Sequence, residues 1–119
     1  MSREHLVAVI DDDDPFRTAL VELLGSFQYV VRDFASAEDF LAADVTSACA
    51  CIITDIHLPG MSGLDLMQQL TAGGSTVPVV MITARADSRL EAKAAAGGAV
   101  CLLRKPFDSN ALIDCLEAL

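Results

Sequence analysis

The sequence predicts an α/β fold: a doubly wound, five-stranded parallel sheet with helices on both faces. Five short apolar runs, rich in β-branched residues, alternate with five stretches whose apolar residues recur at helical spacing. Most of these runs are continuously apolar, as in strands that are covered on both faces. Such alternation favours right-handed crossovers between parallel strands. In the flavodoxin-like strand order 2-1-3-4-5, the first and third strands flank the point where ligands bind.

Strands are predicted wherever an apolar run is rich in β-branched residues and is followed by a turn or a helix start. They cover residues 6–10, 29–34, 51–54, 77–83 and 99–103. Pro78 is compatible with this assignment because proline is tolerated at the start of a strand.

Helices are predicted from capping and stop signals between the strands. Asp14 is expected to cap the first helix, with Pro15 in the first helical position, where a missing N–H costs nothing. Ser36 opens the second helix, with the Asp39 carboxylate at the capping-box position. The other three helices are expected around residues 64–70, over residues 86–96, and from Asp108 or Ser109 to Leu119.

The composition limits the functions that the chain can have. With 119 residues, of which 53% are hydrophobic, residues 1–119 are expected to form one domain. No apolar run reaches the length of a membrane span, and the first residues lack a secretory signal, so we expect a cytoplasmic protein without a membrane partner. A net charge of −9 argues against direct binding to nucleic acid and favours divalent cations.

Polar side chains stand where the predicted strands end. Asp55 ends the third apolar run, Asp11 and Asp12 follow the first, Thr83 ends the fourth, and Lys105 follows the fifth. The carboxyl ends of parallel strands meet at one edge of a sheet, which is where such sheets bind ligands. We therefore expect these side chains to converge.

Three converging carboxylates require a compensating charge. Each pair at about 4 Å costs on the order of 4 kcal/mol at an effective dielectric constant of about 20. Mg²⁺ suits such a site because it binds oxygen ligands, few of them from protein. With the metal bound, the Asp55 carboxylate could attack phosphorus, while Thr83 and Lys105 stabilise the charge on the phosphoryl oxygens.

These motifs together resemble the receiver domain of two-component response regulators, and within that family the FixJ-like group. The motifs are Asp11-Asp12, Asp55 followed by Leu58-Pro59-Gly60 and Gly63, Met81-Ile82-Thr83-Ala84, and Lys105-Pro106-Phe107.

The resemblance implies a role for each site residue. Asp55 would be the phospho-acceptor and a metal ligand. Asp12 would bind Mg²⁺ (or Mn²⁺) directly, Asp11 would hold metal-bound water, and His57 would supply its backbone carbonyl. Thr83 and Lys105 would contact the phosphoryl group, so the list of expected site residues is Asp11, Asp12, Asp55, His57, Thr83 and Lys105.

The resemblance also implies how the domain works. A histidine kinase or histidine phosphotransfer protein would donate the phosphoryl group, and the domain would assist its own phosphorylation and dephosphorylation without acting as a turnover enzyme. The face formed by the fourth helix, fifth strand and fifth helix would change state and could form a homodimer. A cis Lys105-Pro106 bond is implied as well. Leu102 departs from the family pattern, which has an aromatic residue three positions before the lysine.

Two other functions stay open at this point. A haloacid-dehalogenase-like phosphatase would use Asp11 as nucleophile and Asp13 as acid/base, but it needs a further acidic motif where the fourth strand ends in Thr83. A receiver-like binding module would act without phosphorylation. The sequence also leaves open whether the chain acts alone or is the front part of a longer, DNA-binding regulator.

The cysteines and the side chain of His57 have structural interpretations. The four cysteines, Cys49, Cys51, Cys101 and Cys115, are interpreted as buried or incidental thiols, because disulfides are rare in cytosolic proteins. The His57 side chain is expected to be an exposed part of a turn.

Overall fold

The computed structural model describes residues 6–85 and 87–119. The strands are β1 (Leu6–Ile10), β2 (Val30–Phe34), β3 (Cys49–Asp55), β4 (Val79–Thr83) and β5 (Cys101–Arg104). The helices are α1 (Asp14–Ser26), α2 (Ala37–Ala43), α3 (Gly63–Ala72), α4 (Ser88–Ala96) and α5 (Ser109–Glu117), with a short 3₁₀ turn at Thr46–Ala48. All neighbouring strands are parallel, in the order β2-β1-β3-β4-β5, which confirms the predicted fold class.

The sheet has an apolar cluster on each face. Successive side chains of a strand point to opposite faces, so Ile52 packs into one cluster and Ile53 into the other. The first cluster joins the sheet to α2, α3 and α4, and the second joins it to α1 and α5. The continuously apolar strands of the sequence are therefore explained by burial on both sides.

Several element boundaries differ from the prediction. Asp13, not Asp14, caps α1, because its side chain accepts a hydrogen bond from the Phe16 N–H at 3.2 Å. β4 begins at Val79 and not at residue 77, since Pro78 has no N–H to donate to a neighbouring strand. The expected start of the fourth helix, Ala86, lies outside the described residues; α4 begins at Ser88.

The thiol interpretation is wrong for two of the four cysteines. Cys101 and Cys115 form a disulfide, with their Cα atoms 6.6 Å apart. The bond forms because α5 folds back over β5 and carries Cys115 to the beginning of that strand. Cys49 and Cys51 are free and buried, as expected.

Helix α4 is fastened to the edge strand β5 by an ion pair. The Arg104 guanidinium donates three hydrogen bonds to the Glu91 carboxylate, of 2.7, 2.8 and 3.0 Å. Leu102 is half-buried and packs against the same apolar cluster as Leu90 and Ala94 of α4. No helix within the described ranges has the length and hydropathy that crossing a bilayer requires.

Candidate functional site

Two buried carboxylates lie side by side at the carboxyl edge of the sheet. β1 and β3 are hydrogen-bonded neighbours, with Ile10 opposite Thr54, so the residues that follow, Asp11 and Asp55, are adjacent. Asp11 is 2% exposed and Asp55 is 6% exposed. Asp12 lies at the exposed rim, and carboxylate oxygens of the three residues lie within 4.8 Å of one another.

The ammonium of Lys105 contacts both buried carboxylates. Its Nζ lies 2.9 Å from Oδ2 of Asp11 and 3.1 Å from Oδ2 of Asp55, and 4.0 Å from the centroid of the Phe16 ring. The Lys105 backbone N–H donates to the Thr83 carbonyl at 2.8 Å, and the Lys105-Pro106 bond is cis, as the family resemblance implied. Lysine was expected on a phosphoryl oxygen; here it offsets part of the repulsion between the carboxylates.

The protonation equilibria of this pair reflect both burial and charge. Burial raises the pKa of Asp11, and the hydrogen bonds from the Lys105 ammonium and the Asp13 N–H counteract only part of that effect. For Lys105, burial lowers the pKa, but the hydrogen bonds to Asp11 and Asp55 outweigh it, so the pKa is raised overall.

The donor set fits a small divalent cation. Three carboxylates face one ammonium, which leaves two formal negative charges uncompensated. All three offer oxygen atoms, and the exposed position of Asp12 keeps the site open to solvent, as an ion that retains several waters requires. The residues present are therefore suited to hold Mg²⁺, the ion that the family resemblance implied.

A cavity of about 290 Å³ opens above the carboxylates. Its lining residues are Asp11, Asp12, Asp13, Asp55, His57, Ala84, Arg85 and Lys105. A second cavity of about 430 Å³ shares the lining residues Asp12, His57 and Arg85. The space is therefore large enough for a phosphoryl group and hydrated metal together.

The Thr83 hydroxyl is turned toward the backbone that follows β4. It donates to the Arg85 carbonyl at 3.0 Å and accepts from the Arg85 N–H at 3.1 Å. Thr83 is 1% exposed and is not among the residues that line the cavity over the carboxylates. The structure thus brings Thr83 to the correct edge of the sheet but leaves its hydroxyl satisfied elsewhere.

His57 is more buried than a turn residue was expected to be. Its backbone N–H donates to Oδ1 of Asp55 at 2.8 Å, and its side chain is half-buried. Nε2 is fully buried and has no hydrogen-bond partner among the described residues. The cause is the turn after β3, which directs the ring toward the two cavities.

Two residues that the sequence analysis did not select, Arg17 and Glu38, support the site, together with Gly63 of the motif that follows Asp55. Arg17 donates to the Asp11 carbonyl at 2.7 Å, and the Glu38 carboxylate accepts from the Met61 N–H at 3.0 Å. A Cβ on Gly63 would overlap the Asp55 carbonyl. The spacing of Arg17 from Asp14 signals an ion pair within a helix, but Glu38 and Met61 are 23 residues apart and give no local signal.

A parallel sheet of this order, with three carboxylates and a lysine at its carboxyl edge, is the arrangement that the resemblance to receiver domains implied. The comparisons with known proteins agree. A family model described as the response regulator receiver domain matches residues 7–117. The transcriptional regulatory protein FixJ of Azorhizobium caulinodans is 42% identical over 112 residues, which are 94% of this chain and 53% of that protein. TdiR of Thauera aromatica is 37% identical over 94% of this chain and 49% of its own length.

Solved structures of related proteins have the same fold. The response regulator StyR superposes with a TM-score of 0.88 at 39% identity, covering 95% of this chain and 57% of StyR. The FixJ-N crystal structure gives a TM-score of 0.87 at 30% identity, covering 98% of this chain and 93% of FixJ-N. The present chain spans about half the length of the curated relatives that it matches.

The chain belongs to the response regulator receiver domain family, and its FixJ-like character is confirmed by these relatives. It is a receiver domain of a two-component signalling system, which is the function that the acidic cluster and the resemblance predicted. Neither the phosphatase based on Asp11 nor the receiver-like module without phosphorylation is favoured by these findings.

Proposed function

We propose that Asp55 is the phospho-acceptor of this receiver and that a histidine kinase or a histidine phosphotransfer protein is the donor. The observation that carries the proposal is the position of Asp55: it ends β3, is 6% exposed, and its Oδ2 lies 3.1 Å from the Lys105 ammonium. Residues 1–119 would act as one receiver domain, and the match over residues 7–117 supports this. Such a domain would work in the cytoplasm, where the kinase holds its phosphohistidine.

The chemistry is in-line transfer from nitrogen to oxygen. A carboxylate oxygen of Asp55 attacks phosphorus, a P–O bond forms, and the P–N bond to the donor histidine breaks. Lys105 moves from the carboxylates onto a phosphoryl oxygen and stabilises its charge. Asp11, Asp12, Asp55 and the His57 carbonyl would hold Mg²⁺ or Mn²⁺, which when bound neutralises charge on the phosphoryl oxygens.

The same residues would assist hydrolysis of the acyl phosphate, so the domain would set the lifetime of its own signal without turning over a separate substrate. The backbone N–H of His57 donates to the Asp55 carboxylate at 2.8 Å and holds it in one orientation during both steps. Asp11 is held in turn by the Asp13 N–H at 2.9 Å.

The signal would leave the site through Thr83. When a phosphoryl oxygen becomes available, the Thr83 hydroxyl exchanges its two hydrogen bonds with Arg85 for one to that oxygen. The exchange releases the loop that leads into α4 and shifts a two-state equilibrium of the α4-β5-α5 face. That face would bind the output partner or a second copy of the chain.

The proposal is tested by phosphorylation with acetyl phosphate and Mg²⁺. The purified domain should gain about 80 Da, the mass of one phosphoryl group, and should show no gain when excess EDTA is present from the start of the reaction. The Asp55→Asn variant should show no gain. Asp114→Asn, which removes an exposed carboxylate from α5, is the matched control and should be modified like the wild type. Equal modification of Asp55→Asn, or a phosphoryl group mapped to Asp11, would contradict the proposal.

A further inference from the structure

The disulfide between Cys101 and Cys115 lies at the end of the domain opposite the phosphorylation site. Cys101 is the first residue of β5, which is an edge strand, whereas Lys105 follows the last residue of the same strand. Cys115 lies near the end of α5, which folds back over β5. The bond thus fixes the far end of α5 to the sheet without touching any carboxylate of the site.

The two pairs of cysteines differ in their access to solvent. Cys101 and Cys115 are both half-buried, at the edge of the sheet, where a thiol can reach them. Cys49 and Cys51 are buried and unbonded. Burial raises the pKa of both free thiols, that of Cys51 to about 12, which suppresses their thiolate forms. Exchange chemistry is therefore confined to the bonded pair.

Helix α5 remains attached to the sheet when the bond is open. Leu112, Ile113 and Leu116 are all buried in the cluster that α5 shares with α1 and the sheet. The bond adds to this attachment by closing a loop between residues separated by 14 positions, and that loop contains Lys105 and Phe107. Breaking it should loosen α5 and leave the rest of the domain folded.

We propose that Cys101 and Cys115 form a reversible thiol–disulfide exchange site that controls how firmly α5 is held against β5. Its reaction partners are dithiol reductants and small or protein disulfides. In the cytoplasm, where this domain is proposed to work, disulfides are usually transient and redox-sensing. This one joins β5 to α5, two of the three elements of the α4-β5-α5 face. The site is separate from Asp55, so the inference stands whether or not Asp55 accepts a phosphoryl group.

A dithiol reduces the bond in two successive displacements. One thiolate of the reductant attacks a sulfur of the protein disulfide, forms a mixed disulfide and releases the other cysteine, which takes up a proton. The second thiol of the reductant then displaces the remaining cysteine, and the reductant leaves as its own disulfide with two electrons transferred to the protein. A small disulfide oxidant reverses both steps.

Native-state alkylation tests the chemistry. The oxidised domain, without denaturant, is treated with dithiothreitol or a glutathione redox buffer, trapped with N-ethylmaleimide and weighed. Two additions are expected after reduction and none before, because Cys49 and Cys51 are buried. Returning the protein to oxidised glutathione should restore the bond. Resistance to reduction without denaturant, four additions, or failure to re-form the bond would each overturn the proposal.

Hydrogen exchange tests the structural effect. Reduction should speed exchange of the α5 amides by about fivefold or more, with the amides of β1 and β3 unchanged, since the closed loop includes α5 and neither of those strands. In Cys115→Ser, the α5 amides should exchange as fast as in the reduced wild type, and dithiothreitol should not change their rate. Cys49→Ser, which can keep the hydrogen bond to the Val45 carbonyl, is the matched control and should respond like the wild type. Equal α5 exchange in both redox states would refute the proposal. The experiment contains no phosphoryl donor, so a negative result would contradict the exchange site without bearing on the phosphorylation of Asp55.

Discussion

At the scale of single residues, the positive charge of Lys105 compensates only part of the negative charge of the site. Its ammonium contacts Asp11 and Asp55, while Asp12 adds a third carboxylate within 4.8 Å at the exposed rim. The metal-free domain therefore retains like-charge repulsion, and the same repulsion provides the affinity for a divalent cation.

Removing the charge of Asp12 should weaken cation binding and, at the same time, relieve the repulsion in the metal-free domain. We expect Asp12→Asn to bind Mg²⁺ at least about tenfold more weakly, because one charged oxygen ligand is lost. Without metal, the variant should be more stable than the wild type by about 1 kcal/mol, a fraction of the full pair repulsion because Asp12 is exposed. Calorimetric Mg²⁺ titration and urea denaturation followed by circular dichroism measure the two quantities.

Asp114→Asn is the control for a change of net charge alone, and it should alter neither Mg²⁺ affinity nor stability appreciably. An Asp12→Asn variant with unchanged Mg²⁺ affinity and reduced stability would show that Asp12 neither binds the cation nor repels the other two carboxylates.

The sequence predicts the convergence of the charged residues but not all of their contacts. Asp11, Asp12 and Asp55 follow from strand ends, because parallel strands bring their carboxyl ends to one edge. The hydrogen bonds between Thr83 and Arg85 depend on the rotation of a side chain at the end of β4, and no periodic pattern encodes that rotation. The buried position of the His57 ring depends on the path of the turn after β3, which no periodic pattern encodes either.

At the scale of elements, the turn between β3 and α3 determines where Asp55 sits. The Gly63 N–H donates to the Ile56 carbonyl at 3.0 Å, and its Cα passes so close to the Asp55 carbonyl that no side chain fits. A capping box between Ser62 and Asp65 then begins α3. The turn and the helix start thus form one rigid support behind Asp55, the proposed phospho-acceptor.

A methyl group on Gly63 should disturb this support. We expect Gly63→Ala to lower the free energy of unfolding by about 2 kcal/mol, because the backbone after Asp55 must shift to relieve the overlap. The rate of phosphorylation by acetyl phosphate should fall as well, since Asp55 is displaced. Urea denaturation and mass spectrometry over time measure these changes.

Gly25 provides the matched control. It lies within α1, and a Cβ there would meet no atom within 4 Å. Gly25→Ala should therefore raise the free energy of unfolding by about 0.5 kcal/mol, because alanine favours helix over glycine. A Gly63→Ala variant as stable and as reactive as Gly25→Ala would refute the role assigned to the turn.

Element order and type could be predicted from the sequence, whereas the links between elements could not. The apolar runs and capping residues identify all five strands and five helices. The disulfide was missed because cysteine spacing gives no distance between β5 and α5, and the assumption of a reducing compartment argued against it. The contact of Glu38 with Met61 is likewise a product of tertiary packing.

At the scale of the whole molecule, the two apolar clusters stabilise the fold, whereas the buried carboxylates at the sheet edge destabilise it. The raised pKa of Asp11 means that the folded domain binds a proton there at higher pH than the unfolded chain does. Between that raised pKa and the ordinary value of 3.8, the folded state therefore holds more protons, and the contribution of Asp11 to stability increases as pH falls.

The direction in which the contribution of Asp11 changes with pH can be tested by comparing two series of denaturation experiments. The free energy of unfolding of the wild type minus that of Asp11→Asn, both without metal, should rise as the pH is lowered from 7 toward about 4, because only the wild type can protonate at that position. Carboxylates distant from Asp11 contribute nearly equally to both proteins and cancel, and an Asp55→Asn background in both proteins removes the neighbour that shares Lys105 with Asp11. A difference that instead decreases on acidification would mean that the pKa of Asp11 is lowered by folding.

The ion pair of Arg104 with Glu91 gives the α4-β5-α5 face a dependence on ionic strength. Its side chains are 59% and 18% exposed, so dissolved salt reaches the pair and weakens it, with a Debye length of about 8 Å at physiological concentration. The apolar contacts of Leu90 and Ala94 are not weakened in this way. As salt rises, α4 is therefore held to β5 increasingly by hydrophobic packing alone, and the helix that would carry the signal becomes easier to move.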